Sequence, residues 1–320
     1  MAFETLHKDY FRDRWTVIAP DRANRHFDME ARTGRPADSP TPPLACSFCA
    51  GHESETPPAV LALPPGGPWQ VRVIPNLFPI IPGSHEVVIE TPDHGRTLAG
   101  LRPEDVALVF SAIDARLKAL YRRRDIAWVQ AFKNQGRQAG ASLSHAHSQL
   151  VALPVVPGPI AAKSANSVRG HCAYCAMARS ELLGPRFVAA NRSFVAFCPA
   201  APNWEREVWI VARRHIRRLP RPGSETLRDL VALLSPLLTL VESVDPAYNM
   251  MVFSGAPGMH FHFHLEITPR PVNGFKAGLE LATDLAVLRQ APDAAAAAYR
   301  QKWSACAGEV APQITPSSRG

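Results

Sequence analysis

The chain has 320 residues, 46% of them hydrophobic and 20% charged, which excludes a wholly disordered protein and suggests two domains at ~150 residues each. No apolar run approaches the ~18 residues that span a bilayer, and residues 1–9 lack the basic-then-apolar order of a signal peptide, so a cytoplasmic chain with reduced thiols is expected. A net charge of +7 favours anionic partners: nucleotides, sugar phosphates or nucleic acid.

In chain order, 15–19 reads as a short strand. The proline-rich stretch 32–43 cannot supply ladder donors at its prolines and reads as an exposed loop leading into Cys46-Ser47-Phe48-Cys49. Strands are expected at 70–74 and 86–90, separated by the proline-broken 75–79 and followed by His94. Pro103 stands at a first helical turn, and Val106, Val109, Phe110, Ile113, Leu117 and Leu120 recur at helical spacing. A strand at 127–132 runs into a glycine-containing loop, 136–142, of the kind that brings backbone N–H groups close to a phosphate. His145 and His147 follow and open a strand that ends at Pro154. The proline-, glycine- and alanine-rich stretch from there to Asn166 is the best boundary.

The second half repeats the first. Cys172 and Cys175 form another Cys-x-x-Cys pair, strands are expected at 193–197 and 207–211, and His215 follows. Glu207 precedes His215 by the interval that separates Glu86 from His94, which pairs the two glutamates as equivalents. Leu227, Leu230, Val231, Leu234, Leu237, Leu238 and Val241 mark a helix, 249–253 a strand, and 259–267 a final strand carrying His260, His262 and His264 on one face. This order predicts an α+β fold built from a duplicated unit, with residues 1–160 as one domain and 166–303 as the other. An alanine-rich helix is expected near 293–303, then a disordered polar tail at 304–320.

In a reducing compartment the cysteine pairs read as metal or redox sites. Each is followed by one histidine after a strand and another at the final strand, the Cys₂His₂ set of a closed tetrahedral zinc site. Cys46, Cys49, His94 and His145 form the first set. Cys172, Cys175 and His215 belong to the second, where the register favours His262 over His264 as the fourth ligand. Four protein ligands leave no open position, so both zinc ions are expected to be structural. With His145 tied to metal, His147 remains as a nucleophile able to form a covalent intermediate on phosphorus. Gln149 stands two residues on and can donate to a phosphoryl oxygen, whereas the matching position of the second half is Glu266, which would repel it. Catalysis is therefore assigned to the first half, and His264 is read as a buried, satisfied copy.

Cys46-x-x-Cys49, His94, Asn134, the loop 140–142 and Ser144-His145-Ala146-His147-Ser148-Gln149 resemble the galactose-1-phosphate uridylyltransferase family of the histidine-triad superfamily, including the plant ADP-glucose phosphorylase. The resemblance implies a mainly antiparallel sheet with helices packed on it, in two histidine-triad-like units. It also implies ping-pong transfer of a nucleoside monophosphate, UMP first, between a nucleotide sugar and a hexose 1-phosphate through His147. Asn76 would meet the ribose and base, Asn134, Gly140 and Ser142 the phosphates, and Phe275 and Glu280 the hexose, across a homodimer interface. Ser144 and Ala146 stand where many uridylyltransferases have proline, and Leu279 where many have tyrosine. An ADP-sugar phosphorylase or nucleotide hydrolase using the same His147 is the alternative. A zinc-stabilised nucleic-acid binder, suggested by Arg122-Arg123-Arg124, is disfavoured because no base-stacking aromatics interleave.

Overall fold

Ten strands join both halves of the chain in one antiparallel sheet, seen in a computed structural model that describes residues 5–11, 13–24, 46–272 and 274–306. The expected loop at 32–43 lies outside the described residues, as does the expected tail beyond 306. A small hairpin of β1 (Leu6–Lys8) and β2 (Trp15–Val17) stands apart. In the first half the sheet takes β3 (Leu61–Leu63), β4 (Val71–Pro75), β5 (His85–Ile89), β6 (Trp128–Gln135) and β7 (His147–Leu153). In the second it takes β8 (Phe187–Ala190), β9 (Phe194–Phe197), β10 (Val208–Ala212), β11 (Tyr248–Phe253) and β12 (His264–Pro269).

The spatial order is β3-β4-β5-β7-β6-β11-β12-β10-β9-β8. It reads the same from either end once each strand is replaced by its repeat, so the duplication becomes a pseudo-two-fold in space. The halves meet at β6 and β11, where Phe132 lies opposite Met251.

The helices have ordinary local causes. The first, α1 (Pro103–Leu120), has proline in its first turn beside Glu104 and Asp105, and buries Val106, Val109, Phe110, Ile113, Leu117 and Leu120. Two short helices follow, α2 (Gly158–Ala165) and α3 (Ala173–Glu181). The long α4 (Glu225–Val244) is capped by Ser224, whose hydroxyl accepts the Leu227 N–H at 3.2 Å. The last two are α5 (Gly278–Thr283) and α6 (Pro292–Cys306). One face of the sheet buries Val73, Val88, Ala131, Leu150, Ile210, Val252 and Leu265 against α1, α4 and α6 in a single core. The opposite face carries the histidines.

Within the stretch read as the boundary, residues 158–165 are helical, because Pro157 has the extended backbone of a helix start, Pro159 fits the first turn, and Ile160-Ala161-Ala162-Lys163 favours helix. Two expectations need correction. The final strand begins only at His264. Before it, Gly258 turns with φ +80° and the backbone bonds to loops, as where the Phe263 N–H donates to the Ile216 carbonyl at 2.8 Å. Nor are Glu86 and Glu207 equivalent. Val87 lies opposite Gln149 in β7, and Trp209 opposite Glu266 in β12, so Glu86 matches Val208 and Glu207 matches His85. Glu86 points to the helices and takes a bidentate pair from Arg116, whereas Glu207 lies on the other face and accepts the Trp209 indole N–H at 2.7 Å.

Candidate active site and metal centres

Each half brings its four expected ligands together. The ligand atoms of Cys46, Cys49, His94 and His145 lie within 4.8 Å of one another, as do those of Cys172, Cys175, His215 and His262. Zinc bond lengths of ~2.3 Å to sulfur and ~2.0–2.1 Å to nitrogen at a tetrahedral angle require sulfur–nitrogen separations of ~3.5 Å. The first set has Cys46 Sγ to His145 Nδ1 at 3.6 Å and Cys49 Sγ to His94 Nδ1 at 3.5 Å. In the second, His262 Nδ1 is 3.4 Å from Cys172 Sγ and 3.5 Å from Cys175 Sγ. The rings are oriented from behind, since Nε2–H of His145 donates to the Thr91 carbonyl and that of His262 to the Ala212 carbonyl, both at 2.7 Å. These donor sets and distances suit a closed tetrahedral metal, and they place His262, not His264, in the second set.

His147 opens β7. Its Nδ1–H donates to the carbonyl of His145 at 2.8 Å, which leaves the lone pair on Nε2. Burial, and then the nearby Lys133 ammonium, push its pKa down to about 4, so the imidazole is neutral at pH 7. Phe48, between the first pair of cysteines, meets the His147 ring edge-on at 5.7 Å, and both residues border a cavity. His147, Gln149, Asn76 and Ser142 line that cavity together with Phe48, Leu77 and Phe78.

A residue not singled out from the sequence, His85, governs Gln149. The Ile80 N–H donates to His85 Nδ1 at 2.9 Å, so the proton sits on Nε2, which donates to Gln149 Oε1, also at 2.9 Å. The Gln149 carbonyl is thereby engaged, which leaves the NH₂ as the donor of a side chain that lines the cavity. His85 shares a strand face with Val87, opposite Gln149, and this period-two alternation is the signal that could have found it.

Asn134 and Gly140 are not among the residues that line this cavity; Asn134 instead ties the glycine loop to the second half. Its Oδ1 accepts from Asn249 at 2.9 Å, and the same Asn249 amide donates to the Ala139 carbonyl at 2.8 Å, so β11 of the second half holds the glycine loop of the first. Gly136 and Gly140 have φ of +77° and +84°, and a Cβ on Gly136 would fall 2.9 Å from that of Ala247. The loop's close approach therefore needs glycine.

Phe275 and Glu280 are not brought to this cavity. They line a separate one with Trp204, Lys276 and Arg289, and the Glu280 carboxylate accepts the N–H groups of Ala277 (2.8 Å) and Val287 (3.1 Å).

The copy of the site in the second half is filled. His264 Nδ1–H donates to the His262 carbonyl at 2.8 Å, in the pattern of His147. Its ring, however, is stacked by Tyr174 at 4.7 Å and Phe253 at 4.6 Å, and its Nε2 lies 3.3 Å from Glu266 Oε1. Lys163, delivered by α2, pairs with Glu266 and sits 4.5 Å above the Phe253 ring.

The family described as galactose-1-phosphate uridyl transferase, N-terminal domain, matches residues 79–157, which span β5 to β7. An ADP-glucose phosphorylase from Arabidopsis thaliana is 31% identical over 312 residues, covering 85% of this chain and 87% of the relative. A galactose-1-phosphate uridylyltransferase from Haemophilus influenzae is 24% identical over 84% of this chain and 86% of its own. The crystal structure of the Arabidopsis ADP-glucose phosphorylase with bound ADP-glucose superimposes with a TM-score of 0.71 at 29% identity, covering 92% of this chain and 97% of that one.

Proposed function

Because this chain belongs to the galactose-1-phosphate uridylyltransferase family, we propose that it moves a nucleoside monophosphate from a nucleotide sugar to a second phosphate through a covalent intermediate on His147. The observation that carries this reading is the pairing of a neutral, backbone-anchored His147 with the His85-oriented amide of Gln149 in one cavity. The Nε2 lone pair attacks the α-phosphorus, the bond from phosphorus to the bridging oxygen breaks, and sugar 1-phosphate leaves with that electron pair. The incoming phosphate oxygen then displaces Nε2 and restores the imidazole. Gln149 donates to the phosphoryl oxygens as their charge rises, and Asn134, Gly140 and Ser142 would make the further phosphate contacts, Ser142 from the lining of the same cavity.

Both metal sets are assigned to zinc, bound by Cys46, Cys49, His94 and His145 and by Cys172, Cys175, His215 and His262. Zinc held by these residues would supply cross-linking between segments, each set offering four protein donors. Phe275 and Glu280 would serve the hexose in the His147 cavity of a second copy, which makes a homodimer part of this reading.

An ADP-sugar is the preferred donor, since identity to the ADP-glucose phosphorylase exceeds that to the uridylyltransferase and Ser144 and Ala146 replace the prolines of many uridylyltransferases. UMP transfer from UDP-glucose is the second reading. Parallel reactions with ADP-glucose and UDP-glucose, each with inorganic phosphate or galactose 1-phosphate, decide between them. Glucose 1-phosphate release from ADP-glucose, dependent on phosphate, is expected. Turnover confined to UDP-glucose with galactose 1-phosphate would replace adenylyl by uridylyl transfer, and free nucleoside monophosphate without acceptor would mark a hydrolase.

His85→Leu tests the orientation of Gln149. Losing one hydrogen bond that holds a transition-state donor is worth roughly tenfold to a hundredfold, so kcat should fall by that factor while KM for the nucleotide sugar stays near its original value. An unchanged kcat would remove His85 from the account.

A further inference from the structure

Beneath the strand that carries His147, on the helix-packed face of the sheet, lies an ion pair with no exposure to solvent. Lys133 Nζ is 2.8 Å from Glu90 Oε2 and 3.3 Å from the carbonyl oxygen of His147, and Ser148 Oγ donates to Glu90 Oε1 at 2.5 Å. Burying two charges is costly, and an apolar pair of similar volume commonly serves a core as well or better.

The second half provides the comparison. Lys133 lies opposite Ser148, and at the matching place Val252 lies opposite Leu265. Glu90 and Thr91 together stand where the second half has Ala212 alone. The Glu90 N–H donates to the Ala146 carbonyl at 3.1 Å, and the next residue, Thr91, accepts from the His145 ring. In the second half Ala212 does both tasks, donating to the Phe263 carbonyl and accepting from the His262 ring. The first half therefore carries one residue more at this point, and its Glu90 takes a place on the helix-packed face where the second half has the apolar Ala212. The same framework packs with valine and leucine in the half whose histidine is covered, and with a buried ion pair in the half whose histidine is open.

We infer that Lys133 and Glu90 are positioning residues for His147. Between them and Thr91, three successive residues are held: the His145 ring by Thr91, the Ala146 carbonyl by the Glu90 N–H, and the His147 carbonyl by Lys133. The imidazole hangs from that backbone through its bond to the His145 carbonyl, so the place of Nε2 follows from the placement of the peptide groups. This inference rests on the nucleotidyl-histidine reading, and its test separates the two.

The experiment is single-turnover labelling with radiolabelled ADP-glucose and UDP-glucose, comparing the wild-type chain with Glu90→Gln/Lys133→Met, in which neither charge remains unpaired. The double variant is expected to keep its Tm within a few degrees of wild type. Its KM should change little, and its labelling rate constant should fall on the order of 10- to 100-fold, the loss typical of a reacting group displaced by about 1 Å. Equal labelling rates in the two proteins would overturn the inference alone. A wild-type chain that takes no label would overturn the nucleotidyl-histidine reading and the inference with it. Should the double variant not fold, Ser148→Ala, which leaves the ion pair and removes one hydrogen bond to Glu90, is expected to slow labelling several-fold at constant KM; a wild-type rate there would count equally against the inference.

Discussion

His147→Ala is expected to lower kcat on the order of 10⁴-fold or more, because the reaction loses the atom on which its intermediate forms. The equivalent imidazole of the second half cannot take over. His264 repeats the local geometry, but Tyr174 and Phe253 cover its ring and the Lys163–Glu266 pair fills the space before its Nε2. His264→Ala should accordingly leave kcat within a few-fold of wild type. Steady-state assays of the two variants make the comparison, and equal losses in both would mean that the halves act alike.

The second large effect is structural. Cys46→Ser removes a soft ligand from the proposed zinc site, which would tie residues 46–49 to His94 and to the entry of β7. Structural zinc sites in small domains contribute ~10–16 kcal/mol of apparent binding energy, comparable with the ~5–15 kcal/mol that holds a whole domain folded. Even a third of it lost is about 3–5 kcal/mol, or on the order of 10 °C in Tm. Metal content should fall from two ions per chain to one, with Tm and kcat falling together because Phe48 no longer packs against His147. Cys172→Ser should also lose one metal and much stability, yet keep kcat per folded molecule within several-fold, since Tyr174 packs against the covered His264. Two metals retained in Cys46→Ser, by elemental analysis, would contradict the ligand assignment.

The two donor sets were legible in the sequence because their chemistry is discrete: a Cys-x-x-Cys pair, a single histidine and a His-x-His pair recur in the same order in both halves. The same logic separated His145 from His147 and gave Gln149 its meaning. What the sequence did not convey were relations made only by pairing. The palindromic sheet depends on β6 meeting β11, a long-range contact with no local signal. Equal spacing of Glu86–His94 and Glu207–His215 suggested equivalent glutamates, but the one extra residue of the first half, where Glu90 and Thr91 answer to Ala212, shifts the register by one and puts the two glutamates on opposite faces, which is what a one-residue slip does in a strand. His85 and Lys133 escaped notice for the same reason: each acts through a neighbour on an adjacent strand, Gln149 for one and Glu90 for the other. Phe275 and Glu280 were placed by resemblance alone, and within one chain they line a different cavity.

The most direct test of the account is peptide mapping of the wild-type chain after brief incubation with nucleotide sugar and no acceptor. One nucleoside monophosphate per chain, acid-labile and base-stable, is predicted on the peptide containing His147, and it should be discharged by added phosphate or sugar phosphate. A chain that turns over substrate without acquiring that group, or carries it on any other residue, would contradict the account.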